Sequence, residues 1–260
     1  MIPLKVRTLA LAAVTLAIAA TAVAAPSSPT PPVPATVTPA LANSMAEAEA
    51  RLHSDWAWMG RYREANAALK ASGKRVDVVF LGDSITQGWY DKVPAYFREG
   101  LVGRGIGGQT SPQMLVRFRQ DVIDLHPRAV HIMMGTNDIA GNTGPMSPEE
   151  TEANVQTLSE LARAHHIQVI LASIPPAASF PWKPGLETVS KIRVLNAWVR
   201  AYAARTGAIY ADYTAVLDDG DGGMKPGLAV DGVHPTPEGY ALMASVADKA
   251  IAKALRRPAR

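Results

Sequence analysis

Short apolar runs recur along the chain from residue 76 onward and alternate with longer stretches in which apolar residues return every three or four positions. Short runs rich in β-branched residues are typical of buried strands, and the longer periodic stretches are typical of amphipathic helices. The predicted strands are 76–81, 101–106, 129–134, 168–174 and 208–211. The predicted helices are 90–99, 112–124, 148–165, 187–205 and 237–254.

Alternating strands and helices predict an α/β fold, a three-layer α/β/α sandwich around a five-stranded parallel sheet. Several helix starts are chemically marked. Ser147 precedes Pro148 and Glu150, which is the pattern of a capping box with proline at the first helical position. Thr236-Pro237 and Ser111-Pro112 repeat the pairing of a capping residue with proline. In such folds ligands bind at the C-terminal ends of the strands.

The first 72 residues precede this alternation. Residues 1–24 combine Lys5 and Arg7 with an apolar run and Ala-Val-Ala, which predicts a secretory signal peptide cleaved after Ala24. An uncleaved membrane anchor is the alternative, although the apolar run is shorter than the ~20 residues of a spanning helix. We expect a Pro/Ala/Thr-rich linker over 25–43, and one domain over 44–260 with a helical extension, long or broken, over 44–72.

Composition narrows the classes of partner. The chain has no cysteine, which excludes disulfides, thiolate metal ligands and a lipid-modified cysteine. Without Lys5 and Arg7, 24 basic residues face 23 acidic ones, so no nucleic-acid partner is expected. We predict a secreted or periplasmic protein with no stable membrane anchor after cleavage. The sequence leaves the oligomeric state open.

The first predicted strand runs directly into Gly82-Asp83-Ser84. A serine at the tip of a buried strand is placed to act as a nucleophile. Asp83 and Ser84 are also favoured helix-capping residues, so this segment alone supports capping nearly as well as catalysis. The choice depends on whether the chain supplies a base, an acid to orient it and an oxyanion site.

Asp231 and His234 provide a candidate acid and base near the C-terminus, three residues apart on one predicted loop. Imidazole titrates near pH 6.5, so it can accept a serine proton near neutrality and pass it to a leaving group. A nearby carboxylate can hold one ring nitrogen as a donor. Taken alone, the Asp231-Gly232 pair equally well fits a simple turn and His234 a helix lead-in.

Two loops at predicted strand ends offer oxyanion donors. The glycine-rich loop after the second strand can present the amide of Gly108. The loop after the third strand contains Asn137, whose side-chain amide is a second candidate. An Asx turn or a helix cap is the alternative role for Asn137.

Cofactor and metal motifs are weak or absent, and we predict neither group. The G-x-G-x-x-G pattern at 103–108 follows the second strand, and no acidic residue ends a strand about 20 positions later. His165 and His166 are adjacent, so on a helix they point in different directions.

Two aromatic segments remain without an assigned chemistry. Phe180 and Trp182 lie on a Pro-rich loop after the fourth strand and look exposed. A substrate wall and a plain surface loop are equally good interpretations of that loop. In the N-terminal extension, we expect Trp56, Trp58 and Tyr62 to serve in packing.

Taken together, the motifs resemble those of the SGNH or GDSL hydrolases, over residues 77–254. Gly82-Asp83-Ser84 is similar to the first sequence block of that family, Gly108 to the second, Gly135-Thr136-Asn137-Asp138 to the third, and Asp231-Gly232-Val233-His234 to the fifth. Many relatives have aspartate where this chain has Gln109. The chain departs from the family pattern at this residue, and the departure concerns the conformation of the loop that carries Gly108.

The resemblance implies a flavodoxin-like fold and a role for each matched residue. Ser84 would be the nucleophile, His234 the base and Asp231 its orienting acid. The oxyanion hole would combine the amides of Ser84 and Gly108 with the side chain of Asn137. No metal or cofactor is implied.

Within the family the chain looks most like extracellular members related to platelet-activating-factor acetylhydrolase and to sugar O-acetyl esterases. That resemblance implies a secreted serine esterase acting on short-chain, above all acetyl, carboxylic esters, with carbohydrates as candidate carriers. A lysophospholipase or thioesterase of the same fold is the alternative. From other classes, a non-catalytic glycan binder and a polysaccharide O-acetyltransferase also fit.

Overall fold

The computed structural model describes residues 39–256, apart from several side chains of the first helix. The chain falls into two units, Met1–Asn43 and Ser44–Arg260, and the fold described below belongs to the second. The predicted signal peptide and most of the predicted linker lie outside the described residues, although helix α1 begins at Pro39. In the part of the chain that is described, no helix is long and apolar enough to cross a bilayer.

Five parallel strands form one sheet in the order β2-β1-β3-β4-β5. This is the flavodoxin-like order, and the predicted α/β fold is confirmed. Each strand lies within two residues of its prediction, because apolar runs covered on both faces of a sheet stand out in sequence. The strands are β1 Val78–Gly82, β2 Leu101–Gly105, β3 Ala129–Met133, β4 Gln168–Ala172 and β5 Ile209–Ala211.

Helices cover both faces of the sheet and form the outer layers of the sandwich. The helices are α1 Pro39–Ser54, α2 Arg63–Ala71, α3 Ser84–Lys92, α4 Ser111–Asp121, α5 Thr136–Ala140, α6 Pro148–Ala164, α7 Val189–Thr206, α8 Thr214–Leu217 and α9 Pro237–Leu255. Single 3₁₀ turns occupy Pro94–Tyr96 and Ile123–Leu125.

The helix predicted over 90–99 is wrong in position. Helix α3 begins at Ser84, immediately after β1, and ends at Lys92. The Asp83 carboxylate accepts a hydrogen bond from the Ile85 amide at 2.9 Å and so caps the helix at this early point. Pro94 then begins a separate 3₁₀ turn.

The N-terminal extension contains two helices, as the broken alternative predicted. Asp55 follows α1, and its carboxylate accepts hydrogen bonds from the amides of Met59 at 2.7 Å and Gly60 at 2.8 Å. These bonds close a tight turn between α1 and α2, in which Trp58 has a φ of +49°. The turn directs the segment back across the C-terminal edge of β2, where the Tyr62 hydroxyl donates to the Gly105 carbonyl.

Two of the three predicted helix caps are confirmed. Ser147 and Glu150 form the expected capping box, and the Thr236 hydroxyl accepts from the Gly239 amide. Ser111 is not the cap of α4, because Thr110 takes that position and forms a capping box with Gln113. Ser111 is buried inside the first turn and binds Asp138 instead.

Close packing of α3 against β2 aligns the strand ends beside the serine. Gly82 pairs in register with Gly105 on one side and Met133 on the other. A Cβ on Gly105 would lie 2.1 Å from the Gln87 backbone nitrogen, so only glycine allows the first turns of α3 to rest directly on β2. Three strand ends therefore meet at one edge, and the loops that follow them share one surface.

Candidate active site

Ser84, His234 and Asp231 lie in a hydrogen-bonded row at the C-terminal edge of the sheet. The Ser84 Oγ is 2.8 Å from His234 Nε2, and His234 Nδ1 is 2.7 Å from the Asp231 Oδ2. The structure thus brings together residues 150 positions apart in the chain. This is the arrangement of a nucleophile, a base and an orienting acid.

Asp231 is held in place by the loop that carries it. Its Oδ1 accepts hydrogen bonds from the backbone amides of Val233 at 3.0 Å and His234 at 2.8 Å. Partial burial alone would raise the pKa of the Asp231 carboxyl, but the hydrogen bonds from His234 and Val233 outweigh burial and lower it. Asp231 is therefore a carboxylate near neutral pH, and as an acceptor it requires the facing Nδ1 to carry a proton.

Ser84 is the first residue of α3, so its side chain stands where β1 turns into the helix. Asp83 caps that helix and is buried, so it has the capping role that the sequence allowed for it. Burial raises the pKa of Asp83 to about 6, even though the Ile85 amide and His234 act in the opposite direction. A buried acid thus lies directly beneath the candidate nucleophile.

Backbone amides of the first two loops are available as oxyanion donors. The Ser84 amide is at the start of α3, where helix geometry leaves it without an internal acceptor. The Gly108 amide donates to no group among the described residues, and Gly108 has a φ of +76°. A Cβ on its neighbour Gly107 would lie 3.8 Å from the Ser84 Cβ, which places this loop beside the serine.

Asn137 lies buried in the first turn of α5, between the other two loops. Gly135 occupies the N-cap position of that helix, so Asn137 is not its cap. The Asn137 Nδ2 donates to the Gln109 carbonyl at 3.0 Å and more weakly to Asp83 at 3.4 Å. The Asn142 side chain donates to Asn137 Oδ1 at 2.7 Å, which fixes the orientation of the amide.

A buried arginine that the sequence patterns do not single out supports the oxyanion loop. Arg117 donates to the carbonyls of Gly82 at 2.9 Å and Arg104 at 2.8 Å, and to the side chain of Gln109 at 2.6 Å. It also forms an ion pair with Asp121 at 3.1 Å, and both side chains are almost fully buried. Arg117 therefore ties the ends of β1 and β2 to the loop that carries Gly108.

Gln109 has a clear structural partner on each side. Its Oε1 accepts from Arg117, and its Nε2 donates to the Ala57 carbonyl at 2.8 Å. A neutral amide can make both contacts at once, whereas a carboxylate could not donate to that carbonyl. Glutamine at this position, where many relatives have aspartate, thus bonds the loop to the N-terminal segment that packs over it.

A second buried group, Asp138, joins α4 to α5; in the sequence it belongs to the third block, without a role of its own. The Asp138 carboxylate accepts from the Ser111 amide at 3.1 Å and from the Ser111 hydroxyl. Burial raises the pKa of Asp138, while the hydrogen bonds from Ser111 act against that rise. The pair fixes α5, and with it Asn137, against the start of α4.

The loop after β4 forms one wall of the site. Phe180 is buried, contrary to its expected exposure, because it lies under Trp182 with ring centroids 5.0 Å apart and planes nearly parallel. Trp182 lies 6.1 Å from the His234 ring centroid, and its indole N–H donates to Asn142 Oδ1 at 3.2 Å. Of the two interpretations left open for this loop, the geometry favours a wall beside the candidate base.

The glycine-rich segment and the histidine pair occupy structural positions in the fold. Gly103 and Gly105 belong to strand β2, so the G-x-G-x-x-G pattern does not form a phosphate-binding turn. His165 is the C-terminal cap of α6. Across the residues that the structure describes, no three His, Cys, Asp or Glu side chains cluster as metal ligands would.

Comparison with protein families and curated proteins gives an independent view. The model of the GDSL-like lipase/acylhydrolase family matches residues 80–242. An uncharacterized lipoprotein, YqeF, from Bacillus subtilis (strain 168) is 34% identical over 118 residues, which are 38% of this chain and 49% of that protein. The chain thus spans about half the length of this relative. Esterase TesA of Pseudomonas aeruginosa is 28% identical over 60% of this chain and 73% of its own length.

Solved structures extend the comparison over the whole fold. A candidate acylhydrolase from Bacteroides fragilis NCTC 9343 is 45% identical, with a TM-score of 0.73 over 78% of this chain and 99% of its own. A protein of Streptococcus pneumonia named for platelet-activating factor, 21% identical, has a TM-score of 0.64 over 82% of this chain and 100% of its own. An acetylxylan esterase from Geobacillus stearothermophilus, 22% identical, has a TM-score of 0.54 over 69% and 94%. The last two are less than 25% identical to this chain, and what they share with it is the fold.

Proposed function

The chain belongs to the GDSL-like lipase/acylhydrolase family, and from that premise we propose that it is a carboxylic ester hydrolase that works through an acyl-enzyme on Ser84. The observation that carries this proposal is the row of hydrogen bonds from Ser84 through His234 to Asp231, at 2.8 and 2.7 Å. In this row each group faces the partner that the chemistry requires.

In the first half-reaction, His234 Nε2 accepts the Ser84 proton while Oγ bonds to the ester carbonyl carbon. The carbonyl oxygen becomes an anion that the amides of Ser84 and Gly108 stabilise. The side chain of Asn137 joins them as a donor by exchanging its weak contact with Asp83, at 3.4 Å, for the anion. His234 then returns the proton to the ester oxygen, the bond from carbon to that oxygen breaks, and the alcohol departs.

In the second half-reaction, water takes the place of the alcohol. His234 accepts a proton from the water as its oxygen bonds to the acyl carbon, and the proton returns to Ser84 as the acid is released. Asp231 holds the imidazole in one orientation through both steps. The protein is restored unchanged, so the cycle needs no co-reactant other than water.

Short acyl groups, acetyl above all, are the proposed substrates. This proposal is supported by the resemblance to sugar O-acetyl esterases and by the acetylxylan esterase among the proteins that share this fold. A panel of p-nitrophenyl esters from acetate to palmitate tests this, and a maximum at eight carbons or more would favour a lysophospholipase or thioesterase instead.

Substituting alanine for Ser84 tests the nucleophile. Ser84→Ala should lower kcat/KM for p-nitrophenyl acetate by at least about 10³-fold, since the acyl-enzyme can no longer form. The circular dichroism spectrum and Tm should stay close to those of the wild type. Substantial residual turnover would contradict the assignment.

A covalent probe separates catalysis from simple binding. An organophosphate should phosphorylate Ser84 in the wild type and leave Ser84→Ala unmodified, as mass spectrometry can read directly. A non-catalytic glycan binder would show no adduct. Transfer of acetyl to an added sugar in preference to water would instead indicate an acetyltransferase.

Export is also part of the proposal, resting on the sequence of residues 1–24. The mature protein recovered from outside the cytoplasm should begin at Ala25. N-terminal sequencing of that protein tests this, and a mature protein that still begins at Met1 would contradict it.

A further inference from the structure

A cavity of about 250 Å³ borders the oxyanion loop. Its lining combines aromatic, cationic and amide side chains with the backbone of the loop: Arg51, Trp56, Trp58, Gly108, Gln113 and Asn142. Because Gly108 supplies a proposed oxyanion donor and Gly107 lies against Ser84, this cavity adjoins the reacting ester.

The outer wall of the cavity comes from residues 51–58, which precede the family-matched region 80–242. Glutamine side chains fasten this segment to the catalytic domain. Gln113 donates to the Trp56 carbonyl at 2.6 Å, Gln109 to Ala57 at 2.8 Å and Gln120 to Met59 at 2.7 Å. The wall is therefore a fixed part of the site in this chain, supplied by a segment outside the shared family core.

Trp58 has an unusual backbone conformation for a bulky residue. Its φ of +49° lies in the left-handed region, which non-glycine residues seldom adopt. The Asp55 turn enforces this conformation, and the Arg51 guanidinium stacks 3.7 Å from the centroid of the Trp58 ring. Backbone strain of this kind tends to persist where a side chain must be presented for a function.

Exposed tryptophans are concentrated along this edge of the molecule. Of the five tryptophans in the chain, Trp56 and Trp182 are the two exposed ones, at 41% and 38%. The expectation that Trp56 serves in packing is therefore wrong. Asn142 connects them, since it lines the cavity beside Trp56 and accepts the Trp182 indole hydrogen bond. The two indoles and Asn142 form one continuous surface, which we name the tryptophan surface.

We propose that the tryptophan surface binds an oligosaccharide that carries the ester; the inference rests on the proposed esterase function and names its alcohol component. His234 must protonate the leaving oxygen, so the sugar ring bearing the ester lies near Trp182. The neighbouring ring occupies the cavity between Trp56 and the oxyanion loop. A cavity of about 250 Å³ is smaller than the ~300–1,000 Å³ pockets of drug-sized ligands, which suits a single ring.

The chemistry of the lining matches this occupant. A pyranose or furanose ring presents a flat C–H face that packs on the face of an indole, and a rim of hydroxyls that needs donors and acceptors. Gln113, Asn142 and Thr143 supply amide and hydroxyl groups at the cavity. Each of these groups is already held by a partner in the protein: Gln113 by Trp56, Asn142 by Asn137 and Trp182, and Thr143 by Thr110. Their positions are therefore fixed, and their remaining lone pairs can accept hydrogen bonds from sugar hydroxyls.

Kinetics with matched esters test the proposal. The probes are p-nitrophenyl acetate, acetylated xylose and acetylated xylotriose. We expect Trp56→Ala and Trp182→Ala each to lower the ratio of kcat/KM for the trisaccharide ester to that for p-nitrophenyl acetate by about tenfold, through KM. Trp56→Phe, which keeps an aromatic face, should retain most of that ratio. Trp198→Ala, a tryptophan stacked on Tyr202 in helix α7, is the matched control and should leave the ratio unchanged.

The outcomes separate this inference from the proposed function. Wild-type hydrolysis of p-nitrophenyl acetate with equal kcat/KM for the mono- and trisaccharide esters would overturn the oligosaccharide site and leave the esterase intact. A Trp56→Ala effect that follows acyl length in p-nitrophenyl esters would identify an acyl pocket and overturn it as well. Absence of turnover on every ester would overturn both proposals.

Discussion

At the scale of single residues, the candidate site depends on how short sequence motifs position their side chains. Ser84, Asp231 and His234 were accessible from sequence because each belongs to a motif that follows a strand or closes a loop. Arg117 was not, since an arginine four residues before an aspartate on a helix is the usual pattern of an exposed ion pair. Its burial depends on two strand ends and one loop that only the fold brings together.

Phe180 illustrates a second limit at this scale. A phenylalanine in a Pro-rich loop looks exposed in sequence, yet it is buried because Trp182 covers it. The sequence contains no periodicity in such a loop, so nothing in the local pattern distinguishes the covered ring from the covering one.

Asp83 gives a prediction about stability and pH. Burial raises its pKa from the ordinary 3.8 to about 6, so between these values the folded protein binds more protons than the unfolded chain. The free energy of unfolding therefore falls as pH rises through this window, by up to about 3 kcal/mol. Asp83→Asn keeps a capping acceptor without the charge. It should raise the free energy of unfolding relative to wild type at pH 7.5 and lose that advantage near pH 4.

Urea denaturation at pH 4 and pH 7.5 measures this difference. Asp91→Asn, on the exposed side of the same helix, is the control. If Asp83→Asn destabilised the protein equally at both pH values, its charge would not be the source of the effect.

At the scale of elements, strands were easier to locate than helix ends. The strands are short, continuous apolar runs, whereas the start of α3 is set by the Asp83 cap and by its packing against β2. Its first turns read Ser-Ile-Thr-Gln-Gly, which contains too few apolar residues to show helical periodicity. Tertiary packing decided that boundary, and the cap of α4 moved from Ser111 to Thr110 for a similar reason.

Gly105 tests how closely α3 must approach β2. In Gly105→Ala the new methyl would lie 2.1 Å from the Gln87 backbone nitrogen, so the helix must move away from the strand. We expect a loss of about 3 kcal/mol or more in the free energy of unfolding. Esterase kcat should also fall, since Ser84 begins that helix.

Gly73→Ala provides the comparison. Gly73 has a φ of +63° and no atom within 4 Å of its would-be Cβ, so only backbone strain of about 1–2 kcal/mol is expected. Equal losses in the two variants would show that the contact with α3 is not the limiting factor at Gly105.

At the scale of the whole molecule, the strand order places the site where the connections that follow β1 and β2 leave toward opposite sides of the sheet. The chain moves outward from β1 to β2 and then crosses to β3 on the other side, which opens a crevice at the C-terminal ends. Alternation of strands and helices was enough to predict the layers and the edge that carries the site. The packing of the N-terminal segment over that edge was not predictable, since it depends on side-chain amides in α4 and in the loop before it.

His131 makes the core sensitive to acid. It is fully buried in β3, its Nε2 is 2.6 Å from the Tyr213 hydroxyl, and burial lowers its pKa to about 3. The unfolded chain binds a proton at this residue below about pH 6.5 while the folded protein does not. Stability is thus complete above that pH and is lost as pH falls toward 3.

His131→Gln removes this titration and can keep a hydrogen bond to Tyr213. Between pH 7 and pH 4 the wild type should lose up to about 3 kcal/mol more in the free energy of unfolding than the variant does. Denaturation curves across that range measure the difference. Parallel losses in the two proteins would assign acid sensitivity to other groups.

The 150-residue separation of Ser84 from His234 has a consequence for the order in which function is acquired during synthesis. The last strand, β5, ends at Ala211, so the ribosome has made every strand of the sheet before it reaches Asp231 and His234. A nascent chain can therefore carry a complete sheet and an exposed serine that has no base to activate it. Hydrolytic competence arrives only with the final loop and helix α9, and a chain cut short before residue 231 should be inert toward esters.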